Sequence, residues 1–155
     1  MTNRSERAVL NHLIETCKDA ERGFRHVATF TNDPEVRSLF LDIASQRARF
    51  AADLLPHAQR LGGPREADGT TAGALHRTWM DLRSALTTDR LDAAVHEAER
   101  GEHFSLGVYR KALDGMLPPA VRDVVEVQYQ EIVATVTRLR GLERPVFAHS
   151  RTRAI

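Results

Sequence analysis

The chain has one cysteine, Cys17, so it can form no internal disulfide and cannot build a multi-cysteine zinc site. Cys17 falls on an apolar helical face, where an inert core thiol is the expected role. Lysine is nearly missing: Lys18 and Lys111 are the only two, and arginine carries almost all the positive charge. That bias accompanies abundant alanine and reads as codon preference, so scattered arginines are not taken as phosphate ligands. The formal net charge is +1 at pH 7, which excludes a strong field for nucleic acid or an anionic membrane. No apolar run approaches the roughly 20 residues that cross a bilayer. The N-terminal Met-Thr-Asn-Arg-Ser-Glu-Arg holds no signal-peptide core, so a cytoplasmic location is expected. There is no glycine-rich phosphate loop, since Gly62-Gly63 reads as a helix stop. There is no nucleophile elbow and no useful strand alternation.

What is present is helical periodicity. At 155 residues, one domain with one core is expected. Leu10, Leu13, Ile14, Cys17, Ala20, Phe24 and Val27 predict a first helix over about Ser5–Phe30. Asp33 and Pro34 predict the N-cap and first turn of a second helix, which Pro56 should kink and Gly62-Gly63-Pro64 should end. After a polar loop at 65–70, Leu75, Trp79, Leu82 and Leu86 mark a shorter helix over about Thr71–Leu86. Thr88 or Asp89 is expected to cap a third long helix ending near Asp114, and the turn through Pro118-Pro119 leads to a last helix ending near Leu142. The bundle domain is thus expected over residues 1–142, with a flexible tail over 143–155 that is mobile or docks on a neighbouring chain. Short turns pair helices one with two and three with four. The long connection between the pairs predicts an all-α, ferritin-like four-helix bundle whose crossover carries the short extra helix.

Four polar residues lie within or beside the apolar stripes, one per long helix: Glu21, Arg47, Glu102 and Gln128. A dinuclear iron or manganese site in such a bundle needs a Glu from each of two helices and a Glu-x-x-His pair from each of the other two. Glu21 and Glu102 could serve as two of those carboxylates. Neither Glu-x-x-His occurs: Arg49 follows Gln46 by three residues, and Ala134 follows Glu131 by three. A guanidinium at Arg47 would also stand where a cation should. The expected arrangement is therefore a buried polar network, with Arg47 paired to Glu102 or Glu21 and Gln128 completing the hydrogen bonds. No cofactor is expected.

A second constellation, Asp92, His96, Glu99 and His103, is spaced four, three and four residues apart. All four share one helical face and could hold a divalent metal, although solvated surface pairs are the simpler outcome. The third long helix also has a second apolar edge, Phe104, Val108 and Ala112. The crossover helix must cover that edge, or a second copy of the chain must.

The stretches Leu10–Phe24 (LNHLIETCKDAERGF), Phe50–Gly63, Gly73–Leu86 with Trp79, Glu97–Leu113 (EAERGEHFSLGVYRKAL) and Leu117–Leu142 resemble an uncharacterised bacterial four-helix-bundle family of the ferritin-like superfamily, a domain of unknown function. The resemblance spans roughly residues 5–142. It implies a ferritin-like bundle associated with stress and with no established activity. Metal-binding relatives in that superfamily use carboxylates and histidines, and only Glu21 and Glu102 match here. The expected function is a non-enzymatic bundle acting as a homodimer or on a protein partner, with no nucleic acid and no membrane. The alternatives are a di-metal carboxylate oxidase or iron-handling protein using Glu21 and Glu102, and a DNA-shielding assembly, which the charge disfavours.

Overall fold

Asp33 sets the first sharp corner. Its carboxylate accepts from the backbone N–H of Glu35 and of Val36, both at 3.0 Å, and Pro34 follows with its φ already suited to a helix. A computed structural model of the chain describes residues 3–63 and 72–152. Among them lie five α-helices and no strand: α1 (Asn3–Val27), α2 (Pro34–Arg60), α3 (Ala72–Thr87), α4 (Leu91–Asp114) and α5 (Pro119–Thr152), with a 3-10 turn at Ala28–Phe30. The loop expected at 65–70 lies outside the described residues. None of the helices is long and apolar enough to cross a membrane, among the described residues.

Long-range contacts give the helix directions. Arg7 Nε donates to the Gly63 carbonyl at 2.8 Å, so α1 begins where α2 ends and the two are antiparallel. Arg122 donates to the carbonyls of Leu113 and Gly115, which ties the start of α5 to the end of α4. Arg49–Glu131 and Asp42–Arg138 pair α2 with α5, again antiparallel. It follows that α2 and α4 run in the same direction, and the chain between them must travel back along the assembly. α3 forms on that return and packs on α4 and on α1.

The core has two halves. One gathers Leu10, Leu13, Cys17, Phe50, Leu54, Tyr109, Val125 and Ile132. The other gathers Ala20, Phe24, Phe40, Ile43, Leu82, Ala94, Val95 and Leu139. Trp79 packs against the second half, its ring edge-on to Phe24 with centroids 5.0 Å apart. Gly23 makes room for it: a Cβ there would lie 2.1 Å from an indole carbon.

Two expectations are corrected. α5 runs to Thr152, ten residues past the expected end at Leu142, so residues 143–152 continue a helix rather than begin a tail. Pro145 removes one backbone donor but leaves the backbone helical. Neither Thr88 nor Asp89 caps α4: Arg90 holds the N-cap position without a side-chain cap bond. Thr88 Oγ1 instead donates back to the Ser84 carbonyl of α3 at 2.8 Å, and Asp89 takes a left-handed φ of 56° to turn the corner. Among the described residues, Thr78 of the crossover helix lies beside Gly101, and Phe104 and Val108 line a groove farther along α4.

Candidate functional site

The boundary between the two core halves is polar. On α2, Arg47 stands between Ala44 of one half and Phe50 of the other; on α4, Glu102 stands between Ala98 and Leu106. Arg47 is 1% exposed and Glu102 is 0% exposed. Arg47 Nη2 donates to Glu102 Oε2, Nη1 reaches Ser105 Oγ at 3.4 Å, and Nε donates to Gln46 Oε1 at 3.3 Å. Thr135 of α5 also reaches Gln46 Oε1, at 3.4 Å. Glu102 Oε1 has no hydrogen-bond partner among the described residues.

A second polar chain lies beside the first. Tyr109 donates its hydroxyl to Gln128 Oε1 at 2.7 Å, and Gln128 Nε2 donates to the Phe50 carbonyl at 3.3 Å. Because the Tyr109 proton is committed to Gln128, the Cys17 thiol is the donor in its 3.1 Å contact with the Tyr109 oxygen.

Burial pushes the Glu102 carboxyl up from its ordinary range, and the Arg47 guanidinium pulls it part of the way back. Burial likewise raises Cys17 and Tyr109, so neither thiolate nor phenolate forms readily here. A group that resists ionisation is a poor nucleophile.

The structure therefore brings Arg47 and Glu102 into contact and places Gln128 on the neighbouring chain through Tyr109 rather than on the pair itself. Glu21 stands outside both. Its side chain is 22% exposed and accepts from Arg25 Nη1 at 2.8 Å, one turn along α1. Ala20 takes the buried position instead, one residue earlier on the wheel. Glu21 and Glu102 thus do not share a metal environment, and the cation beside Glu102 is a guanidinium. These residues do not fit a dinuclear centre.

The surface constellation is divided as well. Glu99 Oε1 accepts from Arg140 Nε of α5 at 2.6 Å, with His103 Nε2 at 3.5 Å. Asp92 and His96 are exposed and do not join them: among the described residues, no three His, Cys, Asp or Glu side chains converge as a metal set. Arg140 lies 37 residues from His103 in sequence, and helical spacing on α4 alone could not reveal it.

Sequence reasoning missed Ser105, Gln46 and the Cys17–Tyr109 contact. Two of these carried a usable signal: Ser105 and Tyr109 follow Glu102 by three and seven residues, on the same helical face.

The profile of one family matches residues 6–115, the stretch that holds α1, α2, α3 and α4 with Arg47, Glu102 and Tyr109. No curated protein matches the chain. The chain belongs to the family described as domain of unknown function DUF2383.

Proposed function

We propose that this chain is a ferritin-like four-helix bundle whose long crossover carries α3, and that it acts by association rather than by catalysis, as a homodimer or on a protein partner. The shared direction of α2 and α4, with α3 on the return path between them, supports the ferritin-like connection. The observation that carries the non-enzymatic reading is the Arg47–Glu102 pair. Glu102 is the one buried acid among the described residues, and it already holds a buried cation. Cys17, Tyr109 and Gln128 bond one another, and burial holds the thiol and the phenol in their neutral forms. A core arranged in this way specifies packing, and its one buried acid is already committed to Arg47.

Sedimentation at micromolar concentration tests the association. A dimer is expected, and a single species at the 17.4 kDa monomer mass would overturn it.

A further inference from the structure

Beyond the part of the α1–α4 face that α3 covers lies an open groove of about 660 Å³, whose lining among the described residues comes from α1, α4 and Gly115. Val9, Phe104, Val108 and Ala112 make it apolar. Gly107 keeps it open, since a Cβ there would meet nothing within 4 Å among the described residues. The ionisable side chains that line it are His12, His103 and Lys111, all basic, with no acid among the described residues. His103 is already engaged by Glu99 at 3.5 Å and Arg140 at 3.4 Å, which leaves the Lys111 ammonium and His12 to meet a ligand.

We propose that this groove binds a free long-chain carboxylic acid, with the alkyl chain on Val9, Phe104 and Val108 and the carboxylate at Lys111. The proposal goes beyond self-association. The volume lies within the range of about 300–1,000 Å³ typical of small-molecule sites, and an apolar lining with a few polar groups at the rim is their usual chemistry. A second copy suits this face poorly, so the proposed homodimer would use another one. Two concave grooves brought together by a two-fold axis leave an unfilled space, and they set the basic rim of one copy beside that of the other. A neutral chain would leave Lys111 unmatched. A carboxylate complements it.

The test is a fluorescence titration of the full chain, freed of co-purified lipid, with cis-parinaric acid below its micelle-forming concentration. Its methyl ester is run in parallel. Saturable binding of the acid is expected, with the ester about two- to fivefold weaker, the worth of one exposed ion pair. Gly107→Leu fills the groove and should weaken the acid by about tenfold or more. It should do so without lowering the melting temperature, because leucine is the better helix former and its Cβ has open space. Lys111→Glu should weaken the acid and leave the ester unchanged. Absence of saturable binding would overturn the proposal. So would equal affinity for acid and ester, or unaltered binding in Gly107→Leu. If Gly107→Leu instead turns a dimer into a monomer, the groove belongs to a second copy and the ligand is wrongly assigned.

Discussion

Gly23 and Gly107 are both helical glycines, on helices that face each other across the same side of the bundle, and their surroundings are opposite. Gly23 lies under the Trp79 indole, at a distance that leaves no room for a Cβ. Gly107 lies in the groove, where a Cβ would meet nothing within 4 Å among the described residues. The first is at the end that α3 covers, where Phe24 packs on Phe40 and Trp79 with ring centroids 5.5 and 5.0 Å apart. The second is at the end where the described residues leave a groove. The Arg47–Glu102 pair sits between the two halves of the core. The same residue type therefore serves close packing at one end and an unfilled surface at the other, and only the tertiary neighbours distinguish the cases.

The largest expected effect is at the junction. Glu102→Gln strands a guanidinium that cannot lose its proton, and should cost on the order of 3–5 kcal/mol in a urea melt. Arg47→Met should cost less, because the orphaned carboxyl can take up a proton. The sign of the pH dependence follows. Without Arg47, burial acts on Glu102 against only a smaller pull from His103, so its folded pKa rises above the unfolded value of about 4.3. That contribution to stability is fully present below the unfolded value and is lost as pH rises through the folded one. Arg47→Met should therefore melt higher at pH 5 than at pH 8, and more steeply so than wild type; a flat profile would mean the carboxyl is solvated.

Next comes the covered end. Gly23→Ala forces the indole away and should cost about 1–3 kcal/mol, with a red shift in the emission of Trp79, the only tryptophan. The bare end should answer with the opposite sign: Gly107→Ala should stabilise by about 0.5–1 kcal/mol, the gain from replacing glycine in a helix interior. Equal effects at the two glycines would erase the distinction between the ends. Smallest is Arg140→Ala, which breaks an exposed pair with Glu99 and should shift stability by less than about 0.5 kcal/mol.

Much of the fold was legible in the residues. The apolar stripes, Asp33-Pro34 and Gly62-Gly63 marked the helices because periodicity, capping and chain reversal are local properties. The failures were also physical. Thr88 has two carbonyls of α3 within reach, and it bonds backward rather than forward. The continuation of α5 past Leu142 runs through Pro145, which a local rule treats as a stop. For the candidate site, the wheel placed Arg47, Glu102 and Gln128 inward but could not rank Glu21 against Ala20, one position apart at the margin of a stripe. It also could not assign Gln128 to Tyr109 rather than to Arg47, because the pairing depends on how α4 and α5 are set against each other. Arg140 on Glu99 and Trp79 on Gly23 are contacts between helices, invisible to the periodicity of either helix alone.

The central claim is that the buried charge at the middle of this protein is a structural ion pair and not a reaction centre. Elemental analysis of the full chain, purified without chelator, tests it most directly. The account predicts iron and manganese well below one ion per chain, unchanged in Glu102→Gln. Two iron or manganese ions per chain, lost when Glu21 or Glu102 is replaced, would contradict it.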